Sequence, residues 1–158
     1  MIEHPIPPTY NKNSKILILG SFPSVKSREY GYFYGHPQNR FWKVVSLIFE
    51  DEFPKTKEDK KEFLLKHKIA AWDVIASCDI VGSSDNSITN VKANNLKEII
   101  ENSKVEKIFV NGKKAAELYK KYIEPEIKIS AITLPSTSPA NAVYKLERLI
   151  DEWKIIKI

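Results

Sequence analysis

The order of apolar runs predicts a single α/β domain of three layers, α/β/α, around a central, mostly parallel sheet of four strands. Three observations lead there. Strand-like runs alternate along the chain with stretches of helical period, as strand–helix–strand crossovers require. Residues 15–20, Lys-Ile-Leu-Ile-Leu-Gly, form a continuous apolar run, the pattern of a strand covered on both faces. A chain of 158 residues with 42% hydrophobic content suffices for one core and is short for two.

Taken in order, residues 1–14 are polar and proline-rich and read as an N-terminal extension of the domain that spans 1–158. Residues 15–20 supply the first and central strand. Residues 21–38 carry prolines, glycines and aromatics without a period and read as a long shaped loop, a kind of segment that tends to be functional. Phe41, Trp42, Val44, Val45, Ile48 and Phe49 mark one face of a helix over 39–49, and a second helix is expected over 57–66. Residues 70–75 form a short strand, 78–90 a polar loop, and 96–100 part of a helix. A strand at 105–110 and a helix at 113–123 follow, then a strand at 127–134. The loop 135–139 leads into a last helix, along which Val143, Leu146, Leu149, Ile150 and Trp153 recur at helical spacing. Loops 20–39 and 134–141 both follow strands, so both are expected at the carboxyl edge of the sheet, where α/β proteins place their sites.

Composition excludes several classes of function. One cysteine, Cys78, permits no internal disulfide and no thiolate-ligated metal cluster within the chain, and a small buried apolar role suits it. His4, His36 and His67 are scattered and match no zinc signature, so neither metal nor other cofactor is expected. No apolar run reaches the roughly 20 residues of a membrane span, and the first residues lack the pattern of a signal peptide, so a soluble, cytoplasmic protein is expected; a monomer is expected as well. A formal charge of +5 suits a polyanionic partner, although most lysines lie among Glu and Asp in helical stretches that read as solvated faces. Residues 20–27, Gly-Ser-Phe-Pro-Ser-Val-Lys-Ser, nearly match a phosphate-binding loop. Val25 stands where the second glycine belongs and Pro23 lacks an N–H donor, so that reading fails.

The motifs around these loops identify the chain more sharply. Gly20-Ser21-Phe22-Pro23-Ser24 after a buried strand, the run Tyr34-Gly35-His36-Pro37-Gln38-Asn39-Arg40-Phe41-Trp42, and Leu134-Pro135-Ser136-Thr137-Ser138-Pro139-Ala140-Asn141 together resemble the uracil-DNA glycosylase superfamily. The resemblance is strongest to its hypoxanthine-DNA (deoxyinosine) glycosylase branch, with the mismatch-specific uracil-DNA glycosylases related, and runs from about residue 15 to the end.

The resemblance implies base excision from double-stranded DNA, with a deaminated base flipped into a pocket, and hence an activity associated with the nucleoid. In most of the superfamily an Asp or Asn of the first loop holds the attacking water; here Ser21-Phe22 stand in its place, and the hypoxanthine branch assigns that duty to the residue matching Asn39. Asn39 is therefore the candidate catalytic residue. Asn is also a favoured cap for the helix that follows, and one side-chain oxygen cannot fully serve both duties. The first loop, Gly20, Ser21 and Phe22, would hold the leaving base through its backbone, with Phe22 and Tyr34 stacking on the base; core packing is the ordinary alternative for either ring. His36 would shape the pocket, or merely fix a turn. Ser136 stands where relatives contact the base. Pro23, Ser24, Arg40, Thr137, Ser138, Pro139, Ala140 and Asn141 complete the DNA-binding set, with Ala140 or Asn141 where relatives carry a bulky wedge. Ser138-Pro139 reads equally well as the start of a helix. Gly82-Ser83-Ser84-Asp85 and Asn111-Gly112 also match blocks of that branch and carry less weight.

Hypoxanthine excision is the expected reaction. Uracil or xanthine excision from mismatches is the alternative within the class, and damage binding without cleavage the alternative outside it.

Overall fold

The computed structural model describes residues 1–157. Its central sheet has four parallel strands in the order β3-β2-β6-β7: β2 Ile16–Gly20, β3 Ile69–Asp73, β6 Lys107–Asn111 and β7 Ala131–Leu134. All five residues of β2 are buried, because helices cover both faces of the sheet. Ile16 and Ile18 point into a cluster with Phe41, Trp42, Val44, Phe63, Leu64, Leu149 and Trp153. These come from α2 Phe41–Ile48, α3 Lys57–Lys66 and α7 Leu146–Trp153. Leu17 and Leu19 point the other way, among Ile99 of α4 Lys97–Glu101 and Ala115, Leu118 and Tyr119 of α5 Lys113–Tyr122. A short α6, Glu124–Ile127, precedes β7. The expected α/β/α layering and four-stranded sheet are thus present, and the sheet is wholly parallel.

Four local expectations need correction. The loop at 21–38 contains a helix, α1 Val25–Tyr30, started by the Ser24 side chain accepting from Ser27 N and ended at Gly31 with φ +85°. The polar loop expected over 78–90 is shorter, with a 3-10 turn at Asp85–Ser87, because its two ends belong to a second, antiparallel sheet of β1 Ile2–Glu3, β4 Ile75–Asp79 and β5 Thr89–Ala93. The N-terminal extension is built into the domain: β1 pairs with β4, Ile6 is buried, and Thr9 exchanges backbone hydrogen bonds with Ala71 at 3.0 and 2.9 Å. The last helix begins at Leu146, not after Ser138-Pro139, and Val143 is 79% exposed outside it. Cys78 is buried, as its apolar reading requires.

Because the four strands run parallel, their carboxyl ends gather Gly20, Asp73, Asn111 and Leu134 at one edge. Gly20 lies beside Asp73 and Asn111 beside Leu134 in register. The loops leaving these four residues enclose the site.

Candidate active site

At that edge a cavity of about 340 Å³ opens, within the usual range of small-ligand sites of about 300–1,000 Å³. The first loop lines it with Gly20, Ser21, Phe22, Pro23 and Ser24, the segment before α2 with Phe33, Tyr34, His36 and Asn39, and the loop after β7 with Ser136 to Ala140. Two polar residues at strand ends, Asp73 and Asn111, complete its floor, and Ser83 and Asp85 its lip.

Asn39 faces this cavity one residue before the Arg40 N-cap of α2, and its Oδ1 accepts from Phe41 N, the first residue of that helix, at 2.9 Å. A carbonyl oxygen has two lone pairs, so one remains for a second donor. His36 accepts from Gln38 N through Nδ1 at 3.0 Å, which places the ring hydrogen on Nε2, and its carbonyl receives Asn39 N at 3.0 Å. The turn that holds Asn39 is thus built by His36.

Phe22 is 8% exposed and lines the cavity with the guanidinium of Arg28 over its ring at 5.5 Å. Tyr34 is stacked on Phe41, 4.1 Å between centroids at 20°. It has φ +52°, and its hydroxyl is buried without a hydrogen bond among the described residues. Burial and the neighbouring Asp73 carboxylate push that phenol well above its ordinary range, with the Asn111 amide, close by but outside bonding geometry, pulling the other way. Tyr34 therefore stays a neutral donor.

Asp73 was invisible in the sequence, inside the strand-like run Ala-Ala-Trp-Asp-Val-Ile. Its carboxylate is 6% exposed, and Oδ2 accepts from His4 Nε2 at 2.7 Å. Oδ1 lies against Gly20, so closely that a Cβ there would come within 2.4 Å of it and within 3.3 Å of the Tyr34 hydroxyl. Glycine is required at position 20 for that approach. Asp85 accepts from the Ser21 hydroxyl at 3.2 Å; burial raises its carboxyl group above the ordinary range, the hydrogen bond opposing.

The loop after β7 is braced from inside. The Asn111 amide donates to Thr137 Oγ1 at 3.0 Å, and its carbonyl receives Thr137 N at 3.1 Å. Thr137 is fully buried, which removes it as a DNA contact. Arg40, a candidate DNA contact, is half-buried and clamps the same loop. Its guanidinium donates to the carbonyls of Ser138 at 2.9 Å, Asn141 at 3.1 Å and Tyr144. Its backbone N–H also reaches Thr137 O at 3.1 Å. Asn141 lies outside the cavity lining and donates to Ser136 O at 3.0 Å. Ser136 accepts from Ser138 N at 3.1 Å and packs on Gly112, whose φ of +99° excludes other residues and where a Cβ would come within 3.1 Å of Ser136. Arg40 and Asn141 thus hold the loop, and Ser136, Ser138, Pro139 and Ala140 line the cavity.

Residues 7–157 match the uracil DNA glycosylase superfamily. The chain belongs to this superfamily. A protein of Methanosarcina acetivorans named hypoxanthine DNA glycosylase is 34% identical over 163 residues, covering 99% of this chain and 98% of that one. A protein of the same name from Methanosarcina barkeri is 36% identical over 121 residues, 74% of this chain and 75% of its own. The solution structure of a candidate uracil DNA glycosylase from Methanosarcina acetivorans superposes with a TM-score of 0.83 at 32% identity, over 99% of this chain and 96% of that chain. In this superfamily member, no described helix is long and apolar enough to cross a membrane.

Proposed function

We propose that the protein excises hypoxanthine from deoxyinosine in double-stranded DNA, as a monofunctional DNA glycosylase in base-excision repair. The observation that carries this reading is the meeting of Asn39, Asp73 and the Tyr34 ring around one cavity at the carboxyl edge of the parallel sheet. It is a DNA glycosylase acting on a deaminated base. Asn39 uses the lone pair of Oδ1 left free by the Phe41 amide to hold the attacking water. Bond breaking through an oxocarbenium-like state needs that water only late, so placement and a polar surround supply most of the barrier reduction.

The flipped base lies between Phe22 and Tyr34, the latter braced from behind by Phe41. Backbone amides of Gly20 to Phe22, with Ser21, Ser136 and the Nε2–H of His36, face the departing base as it gains negative charge. Asp73 reads its polar edge. Hypoxanthine presents an N1–H beside a carbonyl, whereas adenine presents a bare N1 lone pair; an acceptor oxygen at Oδ1 attracts the first and repels the second. Pro23, Ser24, Ser138, Pro139 and Ala140 at the rim meet the DNA backbone, where hydroxyl and N–H groups position without reading sequence.

Duplexes carrying deoxyinosine, deoxyuridine or deoxyxanthosine, incubated with the protein and then treated with alkali, test this reading. Strand breaks are expected chiefly at deoxyinosine and are expected to persist in EDTA. Preference for uracil would move the assignment to the mismatch-specific branch, and binding without breaks would make the protein a damage sensor. Asn39→Ala is expected to lower the single-turnover rate by roughly 10²–10³, the usual loss of one preorganised polar group, with binding retained.

A further inference from the structure

We propose that His4, a residue of the N-terminal arm outside the cavity lining, is a positioning residue for base excision: it fixes which oxygen and which charge Asp73 presents to the base. The inference rests on the reading of Asp73 as the group that meets the base edge.

The arm is threaded behind the cavity wall. His4 N donates to Ala76 O at 2.8 Å, the Trp72 indole donates to Ile6 O at 3.1 Å, and Thr9 pairs with Ala71. The His4 side chain is 3% exposed. Its ring meets Phe22 edge-on at 5.9 Å and Trp72 at 6.2 Å, and lies 6.4 Å from Phe33. Phe22 and Phe33 are themselves cavity walls. This enclosure leaves the imidazole two polar neighbours, the Ile6 N–H on Nδ1 at 3.2 Å and Asp73 Oδ2 on Nε2 at 2.7 Å.

Those neighbours determine the tautomer. A backbone N–H pointing at Nδ1 requires a lone pair there, so the ring hydrogen sits on Nε2 and is donated to Asp73. The carboxylate is thereby held by a neutral donor, which orients it without cancelling its charge. With Oδ2 occupied and Oδ1 pressed against Gly20, one acceptor oxygen remains for the cavity. Any buried imidazole needs partners for its nitrogens; the partner that points to the site here is a carboxylate that lines the cavity. Here the chain supplies a backbone donor two residues further on that selects the tautomer the carboxylate needs.

Glutamine at position 4 can reproduce both contacts, donating through Nε2 and accepting from the Ile6 amide through Oε1. Leucine fills the space and makes neither. Single-turnover excision of deoxyinosine is expected to slow roughly 10- to 100-fold in His4→Leu, the scale of misplacing one group in a site. The fraction of active molecules and the affinity for an abasic-site duplex are expected to stay unchanged, and His4→Gln is expected to recover most of the rate. In an Asp73→Asn background, His4→Leu is expected to have little further effect, since both changes break one interaction.

Wild-type rates in His4→Leu, failure of His4→Gln to recover, or fully additive losses would each overturn the proposal. Wild-type rates in Asp73→Asn would instead remove Asp73 from base reading, and His4 with it. Nitrogen-15 spectra of the wild-type protein give a check that needs no variant to fold: His4 Nε2 is expected to carry the hydrogen and Nδ1 to be bare, and the reverse assignment would end the argument.

Discussion

At Gly20 the requirement for glycine is a matter of space, not of backbone angle. A methyl group there would fall 2.4 Å from Asp73 Oδ1, far inside contact distance, and the carboxylate would have to turn away. Gly20→Ala is therefore expected to fold with a loss of about 1–3 kcal/mol, typical of overpacking, yet to lose most excision because the base-reading oxygen is displaced. Chemical denaturation and single-turnover kinetics on the same sample would separate the two effects. A fully active Gly20→Ala would show that the position of Asp73 does not matter. Asn39 carries a different compromise, since the oxygen proposed to hold water also accepts from Phe41 N at the entry to α2. Asn39→Asp retains an acceptor oxygen for both the Phe41 amide and the water, so it is expected to keep stability and cleavage; a rate lost in that variant with stability unchanged would show that the neutral amide itself is needed.

The elements around the site are coupled through Arg40. It sits where α2 begins, yet its guanidinium reaches the carbonyls of Ser138, Asn141 and Tyr144, so the first turn of that helix and the loop after β7 move together. Lysine cannot replace a planar fork that serves several acceptors. Arg40→Lys and Arg40→Met are both expected to loosen residues 135–145, with faster proteolysis in that loop, weaker binding to abasic duplex and slower excision. Each part-buried carbonyl left without a donor costs up to about 1–3 kcal/mol. Unchanged protection of the loop in Arg40→Met would assign its rigidity to the Asn111–Thr137 pair instead. α2 and α3 are tied at their far ends by Asp51, which accepts from His67 Nε2 at 2.7 Å and Lys66 Nζ at 3.0 Å.

Across the whole molecule, that tie contributes a pH dependence to stability. Hydrogen bonds from His67, then Lys66 and the Glu52 amide, hold the Asp51 carboxyl well below the ordinary carboxylate range. A depressed carboxyl contributes stability that is fully present above its unfolded value, about 4, and is lost as pH falls toward its folded value. Asp51→Asn is expected to lower Tm at neutral pH and to match the wild type progressively more closely below about pH 4. Thermal melts across that range would check it, and a gap constant with pH would disprove the assignment. The raised Asp85 works in the opposite direction: its ionised form is disfavoured in the fold, so its contribution favours the folded state at low pH and declines as pH rises through its folded value.

The sequence by itself determined the layered fold, through the unbroken apolar run of β2 and the helical periods around it. It also determined which loops enclose the site, because parallel strands send their carboxyl ends to one edge. That Phe22, Tyr34, His36, Asn39 and Ser136 line the cavity was legible through the motifs that resemble the superfamily, which fall in these loops. Asp73 was not, since a carboxylate inside a short apolar run has no local mark of function; only the register of β2 with β3 brings it to Gly20. β4 and β5 escaped for a related reason: Asp, Asn, Lys and Ala have weak strand preference, and pairing across the ribbon supplies what their side chains do not. The tertiary structure alone decided that residues 1–14 are part of the domain, that Thr137 is buried and Arg40 clamps the loop after β7, and that His4 meets Asp73, 69 residues away in the chain. Periodicity reports which face of an element is buried, whereas contacts between distant residues depend on how the elements are brought together.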